Sequence, residues 1–305
     1  MRKQLCDALV ARATKPEMVF LTGDLGFMAL EPLQQALGPR FINAGVAEQN
    51  MISVAAGLAR QDFEVWVYSI APFCYARPFE QIRNDITFHN LPVKLIGNGG
   101  GYGYGVMGPT HHAIEDYGVL LTLPGMSVYV PAFDEDMDAV IARAGASSRP
   151  AYIRMGRGEP PKGYAVPAYA PWRQLTCGGG PVVIAVGPLA GIYIGAFEHL
   201  SAEYRPNLWI VSELPIEQNP LPHELLSQLE KSPGLCVAEE HVRQGGFGSD
   251  LLLHMAEKNR AVRNFRHCYA RAHHFDRYGS QKFLRQQSAL DADSMLDVLK
   301  GLHHA

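Results

Sequence analysis

Short apolar runs alternate with longer helical patterns along almost the whole chain. Several of the short runs are continuously apolar and do not alternate between apolar and polar positions. Continuous apolar strands are typical of a parallel sheet that helices cover on both faces. The pattern predicts β-strands at 18–22, 63–68, 93–97, 126–130, 151–154, 182–187, 207–213, 234–240 and 265–271.

Helical periodicity fills most of the intervals between these strands. It predicts an amphipathic helix within residues 1–17 and further helices at 48–60, 72–88, 111–123, 133–147, 189–200, 220–230, 248–259 and 291–302. Alternating strands and helices indicate an α/β protein. We therefore predict two consecutive doubly wound domains with mostly parallel sheets, at 1–165 and 181–305, joined by a linker at 166–180 that is rich in proline and glycine.

Composition and charge narrow the possible functions. The chain has 305 residues, is 47% hydrophobic and 19% charged, and carries a formal net charge of −3. This balance indicates no basic surface for nucleic acid or for an anionic membrane. No apolar run approaches the roughly 20 residues that span a bilayer. The five cysteines are dispersed, without a CxxC pair or a metal-ligand cluster, which favours reduced thiols in a cytoplasmic protein.

The stretch GNGGGYGYGVMGPTHHAIED, at 97–116, is the most unusual part of the sequence. It follows a predicted strand, so it should lie at the carboxyl edge of a sheet, where ligands bind in open α/β folds. Glycine is expensive to order, and its density here favours close approach of the backbone to a ligand. The segments 43–50 and 68–85 should reach the same edge, so we predict a site there.

The residues alone leave the roles of the candidate side chains open. Glu48 begins a predicted helix, where a carboxylate also simply stabilises the helix dipole. His111 and His112 are as consistent with structural histidines as with catalytic ones. Arg157 lies between two glycines and is either a surface charge or a ligand contact. Neither GxGxxG after a first strand nor GxxxxGK[ST] occurs, so dinucleotide and P-loop nucleotide binding are not supported.

Four segments of the sequence resemble the C-terminal half of transketolases and of 1-deoxyxylulose-5-phosphate synthase. They are 43–59, 79–97, 108–132 and 237–252. The resemblance implies a pyrimidine-binding domain for thiamine diphosphate at 1–165, followed by the family's C-terminal domain. The family's GDG…N motif, which holds Mg²⁺ and the diphosphate, is absent. The resemblance therefore implies a split enzyme: an N-terminal partner subunit carries the Mg²⁺ ligands, and the two chains assemble as an α2β2 heterotetramer around the cofactor.

The same resemblance implies cofactor contacts for three residues. Glu48 matches the glutamate that hydrogen-bonds N1′ of the aminopyrimidine and activates the cofactor. Phe73 matches the aromatic residue that stacks on the pyrimidine ring. Asp24 matches an acidic residue near the cofactor interface.

Substrate contacts are implied in the same way. His111, in GPTH, matches a substrate-facing catalytic histidine, while Arg77 and Arg157 match arginines that bind a substrate phosphate. Met107 stands where transketolases have an aspartate that contacts a sugar hydroxyl. Gly99 lies where a histidine usually opens the loop. These two departures put the ordinary pentose phosphate substrate in doubt.

Three functions follow as expectations. The first is transfer of a two-carbon ketol unit between sugars or sugar-like molecules. The second is a decarboxylating, deoxyxylulose-synthase-like or acyloin-forming enzyme that acts on a modified sugar. The third is a non-catalytic regulatory or scaffold subunit, which retention of Glu48, Phe73 and His111 disfavours. The β chains of 2-oxo-acid dehydrogenases share the architecture, but the spacing around GPTHH is more similar to that of transketolases.

Overall fold

A computed structural model describes residues 1–273 and 278–303 of the chain. Its strands, in chain order, are β1 (Met18–Thr22), β2 (Phe41–Asn43), β3 (Glu64–Ile70), β4 (Lys94–Asn98), β5 (Ser127–Tyr129), β6 (Ala151–Met155), β7 (Trp172–Gln174), β8 (Val182–Val186), β9 (Asn207–Val211), β10 (Glu213–Leu214), β11 (Leu235–Glu239) and β12 (Phe265–Tyr269). The nine predicted strands are thereby confirmed, with small shifts at their ends.

The helices surround these strands. They are α1 (Arg2–Arg12), α2 (Glu31–Leu37), α3 (Glu48–Ala59), α4 (Ala71–Tyr75), α5 (Phe79–Gln81), α6 (Asp116–Leu120), α7 (Met137–Ala146), α8 (Leu189–Glu198), α9 (His223–Lys231), α10 (Phe247–Glu257), α11 (Gln281–Gln287) and α12 (Ala292–His303). Among the described residues, no helix is long and apolar enough to cross a membrane.

Two mostly parallel sheets confirm the predicted fold class. The first has the strand order β10-β5-β6-β4-β3-β1-β2, and the second has the order β12-β11-β8-β9-β7. Within the described residues, only the pairs β10–β5 and β7–β9 are antiparallel. Strand β7 lies inside the segment 166–180, and the domain boundaries themselves stay a prediction.

The first sheet contains a topological switch between β1 and β3. After β1 the chain runs to β2 on one side, then crosses back to place β3 on the other side of β1. Helix α2 packs on one face of the sheet together with α1 and α7, while α3 and α4 pack on the opposite face. The chain therefore leaves the carboxyl ends of β1 and β3 toward opposite faces, which opens a crevice suited to a ligand.

The periodicity of α3 fixes the direction of Glu48. The buried positions of this helix are Glu48, Met51, Ile52, Ala55, Ala56 and Ala59, which follow the spacing of one helical face. Glu48 thus begins the stripe that packs on the sheet, and its carboxylate lies at the crevice and not in solvent. The positive end of the helix dipole favours a negative charge at this position.

Both halves share one core. The largest cluster of buried apolar side chains extends from α3 and α4 through the first sheet to the inner face of the second. A buried ion pair and a buried arginine–carbonyl hydrogen bond reinforce this contact. Arg173 of β7 binds Asp136 with both terminal nitrogens at 2.7 Å, and Arg154 of β6 donates to the carbonyl oxygen of Glu240 at 2.7 Å.

Two predicted helices were wrong in extent. The segment 72–88 divides into α4, α5 and a π-helical turn at Ile82–Thr87. Pro78 interrupts it because proline has no N–H to donate to the preceding turn.

The segment 111–123 is helical only over α6, after a 3₁₀ turn at Pro109–His111. The backbone N–H and C=O of Ala113 both pair with Gly101, at 2.9 and 2.8 Å, so they cannot take part in a helix. His111 therefore belongs to the loop.

Candidate functional site

Glu48 lies at the switch point, beside the end of β1. Its carboxylate is 2% exposed, and a Cβ added to Gly23 would lie 3.5 Å from its Oε1 atom. Gly23, the residue after β1, has no side chain and so leaves space beside this carboxylate. The other oxygen of the Glu48 carboxylate, Oε2, faces the segment that follows β3.

Phe73 and Arg77 come from that segment. The guanidinium carbon of Arg77 lies 4.2 Å from the centroid of the Phe73 ring, and its Nη1 donates to Glu48 Oε2 at 2.7 Å. A planar, nitrogen-bearing group therefore lies over an aromatic face with a buried carboxylate at its edge. Arg77 itself is 42% exposed along its side chain, so this contact is open to solvent on one side.

His111 completes the same group of side chains. Its ring lies edge-on to Phe73, with 5.2 Å between the ring centroids and 70° between the planes. Its Nδ1 lies 2.9 Å from the Thr110 hydroxyl oxygen. Burial lowers the pKa of His111 below its ordinary value, which favours a neutral imidazole near pH 7. Because Nδ1 pairs with Thr110, Nε2 is the ring nitrogen that is left for a substrate.

The glycines of the loop are required by backbone geometry and by close packing. Gly99 and Gly101 have φ of 77° and 63°, a region that favours glycine. A Cβ on Gly99 would come within 2.3 Å of the Tyr104 ring, and one on Gly101 within 2.7 Å of the Glu240 side chain. The loop therefore folds onto its own tyrosine and onto the second sheet.

A cavity of about 230 Å³ opens beside this loop. Gly99 and Arg157 line it, so two of the predicted substrate residues share one space. The other lining residues are Met1, Arg2, Asn98, Gly103, Tyr104 and Gly156. Tyr104 connects the cavity to the rest of the site, because its ring lies 6.2 Å from that of His111.

Sequence reasoning did not identify Arg2, Asn98 or Tyr104 as candidates. The Asn98 amide donates to the Tyr104 hydroxyl at 2.6 Å, which orients the tyrosine toward the cavity. The GYGYG pattern was a signal for Tyr104. Arg2 carries no local signal, because only the fold brings residue 2 beside residue 157.

Asp24 and Met107 are both exposed. Asp24 is exposed and accepts a hydrogen bond from the Asn43 amide at 2.8 Å. Met107 is 54% exposed, next to Val106, which is 68% exposed. The contacts that unite Glu48, Phe73 and His111 thus do not include these two residues.

The arrangement fits the pyrimidine half of thiamine diphosphate. The space over Phe73 accepts a flat group, as the guanidinium demonstrates, and Glu48 supplies a carboxyl at the edge of that plane. Among the described residues, no group of three or more His, Cys, Asp or Glu side chains could hold a metal ion.

The family is shown by comparison with known sequences. Residues 2–162 match the family model described as transketolase, pyrimidine binding domain. That match covers more than half of the chain, and the chain belongs to this family. The predicted resemblance to transketolases is thereby confirmed.

Individual relatives agree with this assignment. The chain is 33% identical over 165 residues to an apulose-4-phosphate transketolase subunit of Phocaeicola vulgatus, with 53% of each chain covered. It is 33% identical over 277 residues to 1-deoxy-D-xylulose-5-phosphate synthase 2 of Geobacter sulfurreducens, with 86% of this chain and 42% of the relative covered. The chain thus spans about half the length of these curated relatives.

A solved structure is similar over the full length. It is described as a split gene transketolase, inactive beta4 tetramer, and it has a TM-score of 0.84 at 27% identity. The match covers 99% of this chain and 97% of that one. These similarities support the interpretation of the chain as the C-terminal subunit of a split transketolase.

Proposed function

We propose that this chain is the pyrimidine-binding subunit of a split transketolase that transfers a two-carbon ketol unit between sugar or sugar-like substrates. The observation that carries the proposal is the space over the Phe73 ring, which has the buried Glu48 carboxylate at its edge and lies at the β1–β3 switch point. We call this space the slot. When bound, thiamine diphosphate supplies a carbon nucleophile at C2 of its thiazolium ring. The remaining roles fall to residues of this chain and of its partner.

Glu48 and Phe73 hold the pyrimidine ring in this proposal. The Glu48 carboxyl donates a hydrogen bond to N1′ and so controls where the ring carries its protons. Phe73 stacks on the ring face and excludes water from one side. Because both side chains are fixed by α3 and α4, the ring is oriented before any substrate arrives.

His111 and the cavity act on the substrate. The neutral His111 imidazole donates a hydrogen bond to the substrate carbonyl oxygen, next to the Phe73 ring. Arg157 and Arg2 provide two guanidinium groups for an anionic end such as a phosphate. Tyr104 lines the cavity and its ring lies 6.2 Å from that of His111, so in this proposal one extended sugar phosphate contacts both parts.

The diphosphate, Mg²⁺ and the rest of the enzyme belong to a partner in this proposal. The 1-deoxy-D-xylulose-5-phosphate synthase relative is matched over 42% of its length, and the other relative is named as a transketolase subunit. In this proposal the partner carries the GDG…N motif. The two chains form an α2β2 assembly in the cytoplasm. The exposed apolar side chains of Val106 and Met107, in the loop that leads to His111, favour as a second candidate a less hydroxylated donor such as a 2-oxo acid.

Exchange of the C2 proton for deuterium tests the role of Glu48 in the complex with the partner. Glu48→Gln should slow exchange by roughly 10²–10⁴-fold, the usual contribution of one positioned acid–base group. Glu80→Gln changes an exposed glutamate of α5 and is the matched control. An exchange rate of Glu48→Gln within a few-fold of the parent would remove Glu48 from this role.

A further inference from the structure

Arg77 occupies the slot that the proposed function assigns to the pyrimidine ring. Its guanidinium lies 4.2 Å from the Phe73 centroid and 2.7 Å from Glu48 Oε2. A ring that stacks on Phe73 and hydrogen-bonds Glu48 needs the same face and the same carboxylate. The Arg77 guanidinium and the pyrimidine ring therefore cannot both lie on this face of Phe73, because a close-packed site has no room there for a second planar group.

We infer that Arg77 is an internal placeholder, which fills the pyrimidine position in the cofactor-free chain and is displaced when the ring binds. The inference rests on the proposed function of Glu48 and Phe73. It assigns Arg77 a role different from the phosphate contact that the sequence predicts, since its cation is committed to Glu48 before any substrate is present.

The burial of the two partners explains why such a placeholder is useful. Glu48 is 2% exposed, and a buried carboxylate without a partner is strongly destabilising. Arg77 neutralises it for as long as the ring is absent. Arg77 is also 42% exposed, so moving its guanidinium into water, or back onto Phe73, changes its solvation free energy little.

This exchange lowers the apparent affinity for the ring. Each binding event must first break one ion pair and one cation–π contact, both partly open to solvent. Contacts of this kind at exposed sites correspond together to roughly three- to thirtyfold in an equilibrium constant. The chain therefore binds the ring more weakly than an otherwise identical chain without Arg77.

The test uses the uncharged probe 4-amino-5-hydroxymethyl-2-methylpyrimidine with the full chain. An uncharged probe avoids a trivial effect of removing a positive charge. The dissociation constant is measured by calorimetry for the parent, for Arg77→Ala and for Arg83→Ala, which removes an exposed arginine nearby in the sequence. Because Arg77→Ala could unfold, the Arg77 Nε–H signal of the parent is also followed by NMR, since the Phe73 ring shifts it.

We expect Arg77→Ala to bind the probe roughly three- to thirtyfold more tightly than the parent and than Arg83→Ala. In the parent, the Nε–H signal should lose its ring-current shift as the probe saturates. Equal dissociation constants, or probe binding without movement of that signal, would overturn the placeholder and leave the proposed function intact. Absence of binding by every variant, even at millimolar probe, where weak binding by the isolated chain is still detected, would overturn both the placeholder and the proposed pyrimidine site.

Discussion

Arg2 and Arg157 are far apart in sequence and line one cavity. At the scale of single residues, this pair predicts where an anionic substrate end binds. Arg157→Gln or Arg2→Gln should raise KM for a phosphorylated substrate about tenfold or more, with a smaller change in kcat. A charge-assisted hydrogen bond is worth roughly 1.5–3 kcal/mol, which corresponds to this change.

Steady-state kinetics of the complex would measure the effect, with Lys3→Gln as the control because Lys3 is exposed and paired with Asp7. The unphosphorylated substrate should respond little to either arginine substitution. Unchanged KM in both arginine variants would show that the anionic end binds elsewhere.

Met107 predicts weak selection for a hydroxyl near the substrate carbonyl. A thioether offers no strong hydrogen bond, and apolar sites discriminate only modestly against a missing hydroxyl. Met107→Asp should therefore increase the ratio of kcat/KM for xylulose 5-phosphate over its deoxy analogue, by roughly tenfold or more. Val106→Asp places the same charge one residue earlier, and an equal gain there would refute a specific role for position 107.

The site was predictable where a motif fixed both identity and place. Glu48, Phe73 and His111 were predicted to share one edge, and they are in contact around the Phe73 ring or through Arg77. The pairing of Arg77 with Glu48 was not predictable from sequence, because it depends on the rotamer of Arg77 and on the position of α3 beside the segment that follows β3. The roles of all these residues stay predictions.

At the scale of elements, β4 places a lysine in the interior. Lys94 is 1% exposed, and its Nζ donates to the carbonyl oxygens of Ser147 and Arg149 at 2.8 and 2.9 Å. Burial lowers the pKa of Lys94 to about 8 from 10.5. Above pH 8 the folded chain loses this proton, whereas the unfolded chain keeps it until about pH 10.5.

The unfolded state thus binds more protons in that window, so the contribution of Lys94 to the free energy of unfolding increases with pH. The increase should reach about 3 kcal/mol in total, at roughly 1.4 kcal/mol per pKa unit. Urea unfolding between pH 7 and 10 should show this gain in the parent and in the exposed-lysine control Lys162→Met, but not in Lys94→Met. Parallel pH profiles for all three proteins would contradict the lowered pKa.

The elements were predicted unequally well. Strands of the sheet interiors were found because their apolar runs are continuous. The short strands β2, β7 and β10 were missed, since two or three residues carry little pattern and their pairing depends on distant partners. The two wrong helices failed at Pro78 and at Ala113, where a missing N–H and a long-range backbone pair overrode local periodicity.

At the scale of the whole molecule, the missing diphosphate motif predicts dependence on a partner. The deoxyxylulose synthase relative is matched over only 42% of its length, and the GDG…N motif is absent from the given sequence. The isolated chain should bind thiamine diphosphate weakly and show no C2 exchange, and addition of the partner should restore both. Calorimetric titration with Mg²⁺ present would measure this, and tight binding by the isolated chain would refute the split-enzyme proposal.

Strand β10 has a consequence for any attempt to isolate the cofactor-binding half. It comes from the second half of the chain, yet it pairs with β5 and so covers the end of the first sheet. A protein ending at residue 165 would leave one side of Val128 and Tyr129 without its partner strand, at an open sheet edge, and Asp136 would lose Arg173. Open edges recruit further strands, so light scattering should detect larger aggregates of the shortened protein than of the full chain at equal concentration. We therefore expect the second half to protect the first against aggregation, a task separate from any part it plays in catalysis.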